Sequence, residues 1–500
     1  MQINWGIDAS TVKGGNPLAF VWNSQKAVNG HMLICGMSGS GKTYTLRRAI
    51  KSMLSTQERA ASGSAARVHI FDVHGDIKVD GQSTVMFSEQ TKYGMNPLRV
   101  NPDQHFGGVR KRIQEFISTM NRVMTKLGSK QEACLRNVLT DVYQRHGFKP
   151  DDHTTWTVDE TMARLLSDGS DGRLYLDVPI GEKDDAKALG AMWDGLQKCW
   201  WVPSDQYRGG LLRWSPKTLA RTHPSIADAT RMARHILQMS FLGTGAQAIT
   251  YLEAANRAAE GYQRKRLEAL RRGNSGFIDE KLQAELEKAK QKAIDTFTDY
   301  ANAITTGHEL DDVMKYDSND VLKGVVDRLD NLDAIGIFSA TPPPFDPKAA
   351  IWNYNIRALG LEQRKLFVLF RLAEIFDAAR QRGEQDHISD IIILDEAHIY
   401  ADDDENNIIN TIAKEARKFG VALICASQSP THFTEDFIAA VSTKIILGID
   451  EQYWKGAQSK MRVTEEALKW IKPQKTILVQ MKTKGEARND WKWIHLPQAA

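Results

Sequence analysis

The chain has 500 residues, 25% of them charged and 42% hydrophobic, with a formal net charge of +3; that is material for roughly two to four domains and a large core. No apolar stretch approaches the ~20 residues needed to span a bilayer. The start, Met1-Gln2-Ile3-Asn4-Trp5-Gly6, lacks the basic and then apolar regions of a signal peptide, so a cytoplasmic protein is expected. The small net charge decides nothing about a polyanionic partner, because such binding depends on where charge clusters.

Short apolar runs at residues 32–35, 68–73, 391–394, 422–426, 445–449 and 476–479 read as buried parallel strands, most of them separated by helical patterns. The first run leads into Gly36-Met37-Ser38-Gly39-Ser40-Gly41-Lys42-Thr43, a complete G-x-x-x-x-G-K-T loop followed by helix-forming residues. Its glycines let consecutive backbone N–H groups face a phosphate at a helix N-terminus. The spacing therefore predicts a nucleoside triphosphate site built from Gly36, Ser38, Gly39, Ser40, Gly41, Lys42, Thr43 and Tyr44. Lys42 is expected on the β- and γ-phosphates and the Thr43 hydroxyl on Mg²⁺.

The expected fold class is α/β: a mostly parallel sheet core, split in sequence by a large, mainly helical insertion. The predicted domains are residues 1–110 (first part of the core), 111–330 (insertion) and 331–500 (second part). Within the insertion, residues 172–216 form a small aromatic-rich subdomain with Trp193, Trp200, Trp201 and Trp214. It is either an embellishment held by aromatic packing or, if its tryptophans are exposed beside Lys183, Lys187, Lys198 and Arg213, a base-stacking platform. Residues 240–310 read as a charged helical hairpin broken at Gly273-Asn274-Ser275-Gly276. One arm carries Arg257, Arg264, Lys265, Arg266, Arg271 and Arg272, and the other mixes acids with lysines. Such a pair is a solvated helical hairpin or a path for phosphate backbone. Cys35, Cys134, Cys199 and Cys425 lie far apart with no C-x-x-C pair, which predicts buried reduced thiols.

After Pro342-Pro343-Pro344 the chain re-enters the core. The strand Asp390-Ile391-Ile392-Ile393-Leu394 ends in Asp395-Glu396; Asp395 is expected to support Mg²⁺ and Glu396 to align and polarise the attacking water. The next strand ends in Ser427-Gln428-Ser429-Pro430, where Gln428 is either a γ-phosphate contact or a turn residue. Arg417, in the preceding Glu415-Ala416-Arg417-Lys418-Phe419-Gly420, fits a helix C-terminus as well as a catalytic role.

Taken in order, the Gly36–Thr43 loop, Phe71-Asp72-Val73-His74-Gly75-Asp76, Leu394-Asp395-Glu396-Ala397-His398, Glu415 to Gly420 and Ala426-Ser427-Gln428-Ser429-Pro430 resemble the HerA–FtsK superfamily of ATPases, with HerA-like and conjugative type IV secretion members nearest. The resemblance covers residues 15–150 and 320–497 as a broad pattern. It implies a RecA-like core, Arg417 as an arginine finger reaching a neighbouring subunit's nucleotide, Gln428 as a sensor, and a homo-hexamer with DNA, single- or double-stranded, in its pore. Neither the membrane anchor of conjugative coupling proteins nor the β-barrel of HerA helicases precedes the loop in this sequence. The 172–214 segment resembles a small accessory domain of plasmid-borne primases, which points to a mobile element. The expected protein is an ATP-hydrolysing DNA translocase or helicase-like motor using ATP and Mg²⁺. Two rivals are an ATPase driving protein delivery or assembly in a secretion apparatus, and a nucleotide-gated partner of a defence nuclease.

Overall fold

A computed structural model describes residues 1–500 apart from 13–14, 58–65, 159–171, 219–220, 242–244, 273–277, 304–314, 405–406 and 498–500. The chain divides into two compact units: Met1–Met95 with Ile335–Ala500, and Asn96–Ala334. In chain order the strands are β1 (Gln2–Asp8), β2 (Ala19–Asn23), β3 (Met32–Cys35), β4 (Arg67–Asp72) and β5 (Gln82–Met86); β6 (Arg173–Leu176), β7 (Met192–Asp194) and β8 (Cys199–Pro203); then β9 (Ile351–Asn355), β10 (Asp390–Leu394), β11 (Val421–Ser427), β12 (Thr443–Ile446), β13 (Thr476–Met481) and β14 (Lys492–His495).

In the first unit eleven strands form one sheet in the order β2-β1-β14-β13-β12-β3-β11-β10-β4-β9-β5. From β12 to β5 every neighbouring pair is parallel. The four outer strands β13, β14, β1 and β2 run antiparallel to their neighbours. The expectation of a parallel strand at 476–479 is thereby corrected: β13 is buried but antiparallel on both sides. An apolar run reports burial on two faces, not chain direction.

Central strands are mostly apolar because both faces are covered, with His69 of β4 and Asp390 of β10 as buried polar exceptions. Ile34, Ile70, Ile391, Ile393 and Ile424 join one core cluster, and the intervening Leu33, Phe71, Ile392 and Leu394 are equally buried on the other face. The helix Lys42–Ser55 lays Leu46, Ala49, Ile50 and Met53 on the first face. At helical spacing, each larger side chain of that stripe contributes about 1.5–3 kcal/mol. On the second face Phe367, from the helix Leu361–Arg382, packs on Phe87 with ring centroids 4.5 Å apart, and Phe71 stacks on Tyr354 at 4.8 Å.

The second unit is mainly helical, with long helices at Val109–Val123, Ser129–Arg145, Ile226–Phe241 and Asn319–Ala334. The expected hairpin corresponds to the helices Gly245–Arg271 and Glu280–Ala303. Lys292 lies over the Tyr251 ring at 4.3 Å, and Arg264, Lys265 and Arg266 are exposed. The predicted break at 273–276 lies outside the described residues.

Strands β6, β8 and β7 make a small antiparallel sheet over a core of Leu176, Ala186, Val202, Leu211 and Trp214. Of the expected aromatic nucleus, Trp214 is buried and Trp200 packs partly against this core, while Trp193 is 53% exposed. Trp201 is capped by the Arg173 guanidinium at 4.4 Å. Lys183, Lys187 and Lys198 are exposed, but Arg213 is tied to Glu182 at 2.7 Å.

All four cysteines are buried free thiols. Among the described residues no helix is long and apolar enough to cross a membrane.

Candidate active site

The loop after β3 is fixed to the neighbouring strand ends by backbone contacts. Gly36 N–H continues the ladder to the Ser427 carbonyl (2.9 Å), and Met37 N–H donates to the Gly448 carbonyl (2.7 Å). Gly39 and Gly41 adopt φ of +78° and +97°, a region closed to most residues with a side chain. A Cβ on Gly36 would come within 2.3 Å of the Ser40 hydroxyl oxygen. Ser40 is buried with no hydrogen-bond partner for that hydroxyl among the described residues. The helix starting at Lys42 has Gly41 as its N-cap and no side-chain cap, so its first N–H groups are open to an anion. Ser38 and Tyr44 are exposed at the mouth, and Thr43 is half-buried.

Strand β10 lies between β4 and β11, with Leu394 level with Phe71 and Cys425. The residues after these strands therefore meet at the sheet end that carries the loop. Asp395 and Glu396 are both buried, and Glu396 adopts a left-handed φ of 46°, a conformation that costs about 1–3 kcal/mol in a residue with a side chain. Lys42 Nζ donates to the Gly36 carbonyl (2.8 Å) and lies 3.6 Å from Glu396 Oε1. The structure thus brings together Lys42, Thr43, Asp395 and Glu396.

It adds two carboxylates not among the sequence-derived site residues. Asp72, at the end of β4, accepts the N–H groups of Gly75 (2.6 Å) and Ile77 (3.0 Å), folding the following turn so that Asp76 Oδ2 accepts from the Thr43 hydroxyl (3.3 Å). Asp72, Asp76 and Asp395 each offer an oxygen within 4.8 Å of the others. Burial, then the charge of Glu396, pushes the Asp395 carboxyl up to about 7. A hard, all-oxygen set, one of whose carboxyls burial and neighbouring negative charge push toward the protonated form, suits a divalent cation such as Mg²⁺. The signal for Asp76 lay in the Asp72–Asp76 strand end, but only the turn built by Asp72 points it at Thr43.

Three histidines surround Glu396. His74 Nε2 is 4.0 Å from Oε1, and His398 Nδ1 is 3.2 Å from Oε2 without the alignment of a hydrogen bond. The His432 ring lies 4.9 Å from that of His398. Burial holds His398 and His432 below the ordinary imidazole value, so both are neutral at pH 7. Beside them the buried Tyr400 hydroxyl also has no partner among the described residues.

Gln428 is exposed directly after β11, whose last residue Ser427 pairs with Cys35; it stands at the root of the phosphate loop. Arg417 is elsewhere. It is exposed on the turn Ala416–Phe419 that enters β11, at the end of the sheet remote from the loop. There its charge, after burial, contributes to holding His31 down to about 4. It lines a cavity of about 1180 Å³ with Asn29, Gln385, Lys414, Lys418 and Lys484. The structure does not bring Arg417 to its own chain's phosphate loop.

A family model described as a domain of unknown function, DUF5710, matches residues 173–216. Among curated proteins, the DNA double-strand break repair helicase HerA of Pyrococcus furiosus is 46% identical over 63 residues, which is 12% of this chain and 11% of the relative. The protein of the same name from Saccharolobus solfataricus is 25% identical over 167 residues, 33% of this chain and 29% of the relative. DNA primase TraC of Escherichia coli is 34% identical over 73 residues, 14% of this chain and 7% of the relative. The chain thus spans under a third of these curated relatives. VirB4 of Thermoanaerobacter pseudethanolicus shares the fold: TM-score 0.53 at 13% identity, covering 99% of this chain and 96% of that one.

Proposed function

We propose, for a chain that belongs to the HerA–FtsK superfamily of P-loop ATPases, that it is an ATP-hydrolysing DNA translocase or helicase-like motor, hexameric when active, serving a bacterial mobile element or conjugation system. The observation that carries hydrolysis is the convergence of Lys42 and Glu396, 3.6 Å apart, beside the buried Asp395 at the mouth of the phosphate loop. A mere binder needs no carboxylate there. Hydrolysis does, to align a water in line with the γ-phosphate.

In this reading the loop amides and Lys42 hold the β- and γ-phosphates, and Thr43 and Asp395, with Asp76 beside them, hold Mg²⁺. The bound ion offsets phosphate charge. Glu396 orients and polarises the attacking water, and Gln428 reads the γ-phosphate from the neighbouring strand end. Arg417, at the remote end of its own sheet, serves the nucleotide of the next subunit, which makes turnover depend on assembly. A DNA track is supported by the local similarity to proteins named as DNA helicases and a DNA primase.

The test is steady-state ATP hydrolysis by wild type and Lys42→Ala, alone and with single- or double-stranded DNA at low and moderate salt. DNA stimulation that is lost in the variant and weakens as salt rises is the expected result. Hydrolysis indifferent to DNA refutes the DNA track and leaves an ATPase acting on protein partners.

A further inference from the structure

We propose that His398 and His432 form a positioning relay that sets the carboxylate of Glu396 and ties it to the strand end carrying Gln428. The inference rests on Glu396 being the water-orienting group proposed above.

Two buried polar atoms face each other without a hydrogen bond: Glu396 Oε2 and His398 Nδ1, 3.2 Å apart, neither having another partner among the described residues. Leaving either unpaired costs about 1–3 kcal/mol. A modest rotation pairs them, with Nδ1–H donating to the carboxylate, and catalytic contacts commonly tighten in this way when substrate binds. Glu396 needs such a guide because its backbone sits at φ 46° and its other oxygen lies between Lys42 and His74, at 3.6 and 4.0 Å. His398 is the neighbour of the opposite oxygen, Oε2.

The second histidine connects this guide to the adjacent strand. Its ring is tilted 35° to that of His398 at 4.9 Å between centroids, and His432 Nδ1 lies 3.3 Å from the Ser427 hydroxyl. That hydroxyl in turn donates to the Ser429 carbonyl (3.3 Å). Ser427 and Ser429 are fully buried and bracket Gln428, the one exposed residue of the three. The His432 ring also meets the Tyr453 ring edge-on at 5.8 Å, and Lys460 donates to the flanking carbonyls of Thr431 (3.1 Å) and Phe433 (2.6 Å), so His432 has few ways to move except with its neighbours. A shift of Gln428 on gaining or losing the γ-phosphate therefore moves His432, and through ring contact moves His398 and the water-bearing carboxylate.

Asparagine places its amide nitrogen where Nδ1 stood, and glutamine places it where Nε2 stood, so the pair distinguishes a donor from a filler. In the full chain, His398→Ala and His398→Gln should lower kcat about 10- to 100-fold, with binding of a fluorescent ATP analogue and KM within about twofold of wild type. His398→Asn should recover most of the loss. His398→Ala/His432→Ala should fall no further than His398→Ala alone, because the two act in series. A kcat within twofold of wild type for His398→Ala, or equal losses in the Asn and Gln variants, overturns the relay. Should the alanine variant not fold, as judged by thermal melting, the Asn/Gln pair decides alone. Absence of ATP hydrolysis in the wild type overturns instead the reading of Glu396 on which the relay rests.

Discussion

Arg417→Ala tests whether the catalytic unit is the chain or the junction between two chains. Strand β11 runs from Val421 to Ser427. Six steps of about 3.3 Å put its ends ~20 Å apart, with Arg417 before the first and the phosphate loop beyond the last. A guanidinium that far away adds nothing to nucleotide affinity in its own subunit. Arg417→Ala should therefore bind a fluorescent ATP analogue within about twofold of wild type, yet lose roughly 10³-fold or more in turnover, the range measured for arginine fingers. Mixing supplies the decisive assay. Lys42→Ala chains have a sound Arg417 but no working loop; Arg417→Ala chains have the reverse. In randomly mixed equimolar rings about one junction in four pairs an intact loop with an intact arginine, so about a quarter of wild-type turnover should return from two inactive preparations. Near wild-type hydrolysis by Arg417→Ala alone would refute the argument, and so would mixtures no more active than the sum of their parts.

Two further outcomes follow from the geometry. Asp76→Ala removes the carboxylate that holds the Thr43 hydroxyl; the Mg²⁺ concentration giving half-maximal ATPase activity should rise about tenfold or more, and an unchanged Mg²⁺ titration excludes Asp76 from the metal site. His31 is fully buried, its Nδ1 accepting from Leu423 N–H at 3.1 Å, and is held down to about 4 by burial and then Arg417. The unfolded chain takes up this proton below about 6.5 and the folded one only near 4, so stability is lost as pH falls through that window, by up to ~3 kcal/mol. His31→Asn keeps an acceptor that does not titrate, and its urea midpoint should vary less between pH 7 and 4.5. Parallel pH profiles for the two proteins would show that His31 does not carry the effect.

The central strands were legible because burial on both faces writes an unbroken apolar run, as at Ile391 to Leu394. Strand β1 was not. Its burial alternates, with Ile3 and Trp5 inside and Gln2 and Asn4 outside, before Gly6 breaks the pattern, and four residues of alternation do not stand out without knowing which face is covered. β9 escaped for another reason: its buried Asn353 donates to the Ile77 carbonyl (2.8 Å) and toward Asp72 (3.4 Å), so a polar residue sits where a strand pattern calls for an apolar one. In the site, Lys42, Asp395 and Glu396 could be read because the loop and the strand end are each local in sequence. Asp76 and the two histidines could not be assigned roles, since their partners are set by how separate strand ends come together: Asp76 meets Thr43 and Asp395 only when β4 lies beside β10, and His398 meets His432 only when β10 lies beside β11. The remoteness of Arg417 likewise becomes visible only once β11 is laid beside β3.

The neck between the two halves of the nucleotide-binding unit has a consequence for how such a chain can change over evolutionary time. Where the chain leaves this unit, Met95 N–H donates to the Ile337 carbonyl (2.9 Å) and Gly94 N–H to the Thr341 carbonyl (3.0 Å). Gly94 lies so close that a Cβ there would fall 1.9 Å from the Ile337 oxygen. Exit and return thus share one doorway. Whatever is threaded between them can be lengthened, shortened or exchanged like a cassette, since the cost of closing a loop grows only slowly with its length. The sheet and its phosphate loop would keep their register throughout. A lineage can change what lies between the two halves without rebuilding the sheet or its phosphate loop.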